Sequence, residues 1–161
     1  MNFLAGGLLL FTGSALCAFW AFVVMLRCLD FQLLYASGVP LLHARVFQFT
    51  TLLTHHLPKL SQHLLTHSLS FDFFAHQWLM TCFAYHIDLP TVACIWDAFF
   101  LGGWKALLKA AVVLLARLQA AILETTSIDE ILFVVRVKLQ MLGKTKMFEQ
   151  RARSENSRAA K

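Results

Sequence analysis

Residues 105–123, KALLKAAVVLLARLQAAIL, decide what kind of protein this chain makes. Set around a helix at about 100° per residue with Lys105 as zero, Lys109 falls near 40°, Arg117 near 120° and Gln119 near −40°. Leu107, Leu108, Leu114, Leu115, Leu118 and Ile122 gather opposite them, between about 180° and 300°. Ala106, Ala110, Ala116 and Ala120 fill the polar sector, and Val112, Val113 and Leu123 break the pattern. A helix sided in this way buries one face on protein and turns the other to water. It is not built to cross a bilayer.

The question arises because the 161-residue chain is 58% hydrophobic and 14% charged, with a mean hydropathy of +0.64. An average domain is roughly 45–50% apolar and about 25% charged. Disorder, collagen and a disulfide scaffold are excluded, and the length suits one domain or part of one. From Phe3 to Leu26 no residue is charged, which is long enough for a membrane span. No basic residue precedes the run, so it is a poor signal peptide. Thr12-Gly13-Ser14 interrupts it, and Ser14 is a good cap for a helix starting at Ala15. The segment reads as a short helix to Phe11, a break, then ALCAFWAFVVMLRCL, a helix apolar on nearly all sides like the centre of a bundle.

The rest is all-α in pattern, with six to eight helices expected. No sustained alternation and no Asn-Gly or Asp-Gly turn marks a strand. Pro58 suits the first turn of a helix to His67; Asp72 can cap one running through Phe83 and Tyr85. Pro90 opens a further helix through Phe99, which Gly102-Gly103 breaks before Trp104. Ser127 with Glu130 forms a capping box for a last helix to about Leu142.

Charge is concentrated at one end. Six Lys and Arg against two Glu lie between Lys144 and Lys161, so the net charge of +5 belongs mainly to a tail. That tail reads first as a solvated chain end, and otherwise as a segment able to attract anionic lipid or RNA. Nothing resembles a base-reading module, so no nucleic-acid partner is expected. Cys17, Cys28, Cys82 and Cys94 lack CxxC spacing and sit in apolar runs, as buried reduced thiols do. Of seven histidines, His63 and His67 share metal-ligand spacing, but no glutamate base and no Cys, Asp or Glu completes a set. Surface histidines are the reading preferred; no metal, cofactor or catalytic residue is expected.

Residues 71–107, FDFFAHQWLMTCFAYHIDLPTVACIWDAFFLGGWKAL, hold three of the four tryptophans. Trp78, Phe83, Trp96, Phe99 and Phe100 read as core fillers, while Asp97, inside an apolar helical run, calls for a polar partner. This block closely resembles the C-terminal part of the TBC domain of Rab GTPase-activating proteins. The matching pieces are Gln77-Trp78-Leu79-Met80-Thr81-Cys82-Phe83-Ala84, Leu89-Pro90, Ile95-Trp96-Asp97-Ala98-Phe99-Phe100 and Gly103-Trp104-Lys105. His56-Leu57-Pro58-Lys59-Leu60 and Met1-Asn2-Phe3-Leu4-Ala5 are similar to that family as well. Cys94 departs from it, standing where arginine is common before Ile-Trp-Asp.

The resemblance implies a helical TBC-type domain over residues 1–143 lacking its N-terminal helices, followed by a basic tail at 144–161. Its partner would be a small GTPase of the Rab class, regulated in vesicle traffic, and its place cytoplasmic or peripheral on endomembranes. Family members are not themselves the GTPase; they insert an arginine and a glutamine into the partner's site. The arginine belongs to an Ile-x-x-Asp-x-x-Arg motif and the glutamine to a Tyr-x-Gln-Gly motif directly before Met-Asn-Phe. Neither motif occurs in this sequence. Both would lie upstream of Met1, which then matches an internal family methionine, and no finger residue can be carried over. This polypeptide alone is expected to be inactive, with an apolar patch left bare on the helix at 15–29. The alternatives are a non-catalytic helical interaction or scaffold module, and a small membrane protein anchored by residues 3–26.

Overall fold

The computed structural model describes residues 1–141, all of whose regular structure is helical. The expected helix end at Leu142 and the tail at 144–161 lie outside them. In chain order the helices are α1 (Asn2–Thr12), α2 (Ala15–Cys28), α3 (Phe31–Leu34), α4 (Pro40–His56), α5 (Pro58–Thr66), α6 (Asp72–Thr81) and α7 (Leu89–Leu123). An eighth, α8, runs over 128–141 to the last described residue.

The break near residue 13 is real. Gly13 closes α1 in a left-handed conformation, and the Ser14 hydroxyl accepts from the Cys17 amide at 3.4 Å to open α2. Residues 3–26 thus form two helices of 11 and 14 residues, each shorter than the ~17–25 a span needs. By length and composition α7 alone, among the described helices, could cross a membrane. Its second half nevertheless has the expected sidedness: Leu107, Leu108, Leu114, Leu115, Leu118 and Ile122 are buried, while Val113 and Leu123, outside the pattern, are exposed.

α4 is the hub, packing against α3, α5, α6 and α7. Its buried stripe is Leu42, Val46, Phe49 and Leu53, spaced four, three and four residues apart as a helical face requires. α1 lies on α2 and buries Leu4, Gly7 and Leu8. A Cβ at Gly7 would stand 2.7 Å from the Trp96 ring, so only glycine lets α1 approach α7 this closely.

Within the aromatic block three helix boundaries differ from the sequence reading; elsewhere α1 ends one residue later, at Thr12, and α5 one residue earlier, at Thr66, than expected. Phe71 rather than Asp72 occupies the cap of α6, with Ser70 Oγ accepting from the Asp72 amide at 3.3 Å. α6 stops at Thr81 and not at Tyr85, because Cys82 and Phe83 both turn left-handed, at φ 44° and 67°. α7 starts at Leu89 under the Asp88 carboxylate, which accepts from the Thr91 amide, and Pro90 follows in the first turn. The break at Gly103 is a kink within α7, at φ 60° and ψ −154°, a conformation only glycine adopts readily. At the start of α8, Ser127 Oγ accepts from the Glu130 amide, and Glu130 reaches one residue past the cap to the Thr126 amide at 3.0 Å.

Candidate functional site

The aromatic block resolves into three packing sites. Trp78 and Phe83 are both buried with ring centroids 5.3 Å apart, and Phe49 of α4 stands 6.3 Å from Trp78. Phe99 and Trp104 lie 5.7 Å apart on either side of the Gly103 kink, with Phe31 stacked on Trp104 at 5.2 Å. The Trp104 indole donates to the Leu29 carbonyl at 2.8 Å, which ties α7 to the end of α2. Trp96 forms the third site: its ring meets Phe11 edge-on at 5.2 Å, and its N–H donates to the Cys82 carbonyl at 2.9 Å.

That last bond explains the reversed backbone after α6. Two consecutive left-handed residues cost about 1–3 kcal/mol each unless their surroundings hold them. Here both side chains are buried, the Cys82 carbonyl is taken by Trp96, and the Phe83 ring joins Trp78. The Cys82 thiol is fully enclosed, and burial pushes its pKa up, which makes it an inert thiol.

The remaining motif residues are peripheral. Gln77 and Pro90 are exposed, and Phe100 is half-buried. Asp97 is exposed as well, on the outer face of α7 beside Cys94, Ala98 and Leu101. The protein partner expected for Asp97 is not required, because an exposed carboxylate carries no burial penalty. Burial of all four cysteines is also corrected. Only Cys82 is buried, while Cys17, Cys28 and Cys94 sit on the outer faces of α2 and α7. All seven histidines are exposed or half-buried.

The long-range anchors around the block carry no local signal in the sequence. Arg45 of α4 lies 5.0 Å from the Trp104 ring centroid and bonds Gln48 at 2.8 Å. Burial lowers its pKa, and Asp30 opposes that shift. The Tyr35 hydroxyl donates to the Met80 carbonyl, and burial, with a smaller effect of Cys82, raises its pKa to about 12.

The surface that stands out is the outer side of α1 and α2. α2 buries only Ala18 and Met25, and exposes Leu16 (68%), Phe19 (58%) and Trp20 (59%), with Val24 beside them. A groove of about 270 Å³ between the two helices is lined by Leu9, Ala15, Phe19 and Phe22. A second, of about 300 Å³, lies at the start of α1 between Asn2, Phe3, Ala84 and Leu89. Phe3 packs on Tyr85 at its edge, 5.0 Å between centroids. α2 is therefore not the central helix that its composition suggests; it lies at the edge of the described structure with its apolar face bare, as the resemblance implied.

Comparison with known proteins agrees with this architecture. The family model of the Rab-GTPase-TBC domain matches residues 1–123. The GTPase-activating protein GYP5 of Saccharomyces cerevisiae is 31% identical over 139 residues, covering 86% of this chain and 15% of that protein. TBC1 domain family member 4 of Mus musculus is 29% identical over 147 residues, covering 91% of this chain and 11% of that protein. The crystal structure of the Chlamydomonas flagellar RabGAP TBC domain superposes with a TM-score of 0.74 at 23% identity. It covers 87% of this chain, and the chain spans 46% of that structure. Because that family model covers residues 1–123, well over half of the sequence, this chain belongs to the Rab-GTPase-TBC domain family.

Proposed function

We propose that this chain serves as the C-terminal portion of a domain that acts on a small GTPase of the Rab class, and that alone it does not accelerate GTP hydrolysis. The observation that carries the reading is the family match over residues 1–123 in a sequence with neither Ile-x-x-Asp-x-x-Arg nor Tyr-x-Gln. An arginine finger offsets charge on the transferring phosphoryl group and is worth ~10³–10⁵ in rate; positioning of the attacking water needs the glutamine. Arg27, Arg45 and Arg117 do not replace it: Arg45 is held against Trp104, and the other two stand outside the motif.

Single-turnover GTP hydrolysis by a panel of Rab GTPases tests this. The 161-residue chain is expected to leave every intrinsic rate unchanged, and clear stimulation of any member overturns the reading.

A second reading, a non-catalytic interaction module, is favoured by the bare aromatic face of α2. In either case the chain works in the cytoplasm, peripheral on endomembranes through the basic residues between Lys144 and Lys161. Flotation with phosphatidylserine vesicles is expected to be lost at high salt, or when Lys144, Lys146, Arg151 and Arg153 are changed to Gln. Equal flotation with neutral phosphatidylcholine vesicles would refute the electrostatic contact.

A further inference from the structure

A cleft of about 370 Å³ lies away from the α1–α2 face, between α6 and α8. α8 follows the residues matched by the family model, so this cleft joins a family helix to an element beyond that match. Its floor is apolar, made by Phe74 and Trp78 of α6 with Leu132 and Val135 of α8. Phe73 and Phe133 rise at its rim, 64% and 65% exposed. Phenylalanine is among the side chains enriched where protein surfaces meet.

Charge is placed at the two ends of the α8 wall. Asp129 stands in its first turn and Arg136 seven residues on, both exposed and both lining the cleft. At 1.5 Å per residue they are separated by about 10 Å, too far to pair with each other. Neither has an ion-pair partner among the described residues. Half-buried His86 also lines the cleft; burial, and then the nearby Arg136 charge, lowers its pKa.

We propose that this cleft docks one amphipathic helix of a partner protein, lying antiparallel to α8. The partner presents an acidic residue to Arg136, two large apolar residues three and four positions later to the floor, and a basic residue seven positions after the acidic one to Asp129. A helix repeats one face at these intervals, and its rise over seven residues equals the spacing of the two charges. The direction follows from electrostatics. An acidic residue near the partner's N-terminus and a basic one near its C-terminus also suit its own macrodipole, and antiparallel helices align opposite dipole ends. The cleft has room for a pair of large side chains, as helix-in-groove recognition requires.

The probe is a fluorescein-labelled helical peptide carrying Glu, Leu, Phe and Lys at positions 1, 4, 5 and 8 of an Ala/Gln background, titrated with the full chain. A control peptide has Glu and Lys exchanged. The exchange is expected to weaken binding about tenfold, two favourable pairs becoming two repulsive ones. Asp129→Lys with Arg136→Glu, both at exposed positions, should reverse the preference, which removes any difference in the peptides' own helicity. Phe133→Ala, also exposed, should weaken both peptides about tenfold. Equal binding of the two peptides, a preference unchanged by the charge-swapped variant, or no binding overturns the proposal. So does self-association abolished by that variant, which assigns the cleft to a second copy. Binding seen only after removal of residues 142–161 assigns it to this chain's own end, and overturns the proposal as well.

Discussion

Trp96 and His86 illustrate two ways in which a polar atom is managed inside this apolar chain. The Trp96 N–H is buried but has the Cys82 carbonyl at 2.9 Å, so its desolvation is compensated. His86 Nε2 is buried and has no partner among the described residues, and burial followed by the Arg136 charge lowers the pKa of the ring. The unfolded chain then binds a proton more readily than the folded one. Stability is therefore full above the ordinary histidine value and falls as pH drops through about 6.5 toward the lower folded value, where the loss levels off. The urea midpoint is expected to decline between about pH 7.5 and 5.5, and His86→Gln should flatten that decline. An unchanged slope in the variant would assign the decline to other groups. Glu130 acts in a separate, lower window. Its pKa is depressed by the Thr126 amide, so its contribution is lost as pH falls below the usual carboxylate value.

At the scale of elements, α7 depends on one residue for its shape. Gly103 sits at φ 60° and ψ −154°, where a Cβ is strained even though the nearest side-chain atom would be 4.0 Å away. Gly103→Ala is expected to cost about 1–3 kcal/mol through backbone strain alone. If the kink straightens instead, Trp104 leaves the Leu29 carbonyl and Phe31, and the tryptophan emission should shift to the red. A variant with an unchanged urea midpoint and unchanged emission would show that the kink is not a constraint. The same helix shows what could be read in advance. The buried stripe from Leu107 to Ile122 follows from a 100° projection, because side chains there meet a single partner surface. Ser14 and Ser127 were legible as caps because a hydroxyl three residues before an amide has one local use. The stop of α6 at Thr81 was not legible. It is set by Trp96, fourteen residues on from Cys82, and no local pattern encodes a bond across that separation. α4 was missed for a different reason. Pro40 and the spacing of Leu42, Val46, Phe49 and Leu53 were present, but its polar face of Thr and His residues blurs the stripe. Of the motif residues, the tryptophans' burial followed from size, whereas the exposure of Asp97 followed from which side of α7 the chain leaves uncovered.

Over the whole molecule, the excess of apolar residues is divided between a closed core around α4 and the bare face of α2. Leu16, Phe19, Trp20 and Val24 recur at one side of α2, so their exposed area is contiguous along it. Contiguous apolar surface beyond a few hundred Å² is rare on monomers that stay apart in solution. The isolated chain is therefore expected to self-associate with rising concentration and to bind an apolar dye such as anilinonaphthalene sulfonate while folded. Phe19→Ser with Trp20→Ser removes the two largest of these side chains without touching Ala18 or Met25, the two residues α2 buries. Serine costs a helix roughly half a kcal/mol relative to alanine, a small loss beside the core. The double variant should keep its far-ultraviolet circular dichroism and lose most dye binding and concentration-dependent scattering. The paired Leu132→Ser, at half-buried α8, serves as the contrasting case, because it lies on the other cleft and should leave dye binding at α2 intact. If instead Phe19→Ser with Trp20→Ser unfolds the chain, α2 contributes more to the fold than its two buried side chains account for, and its face is a structural surface rather than a docking one. Retained helicity with dye binding undiminished would place the reactive apolar surface elsewhere, in the groove between Asn2, Phe3 and Leu89 or in the cleft rimmed by Phe73 and Phe133.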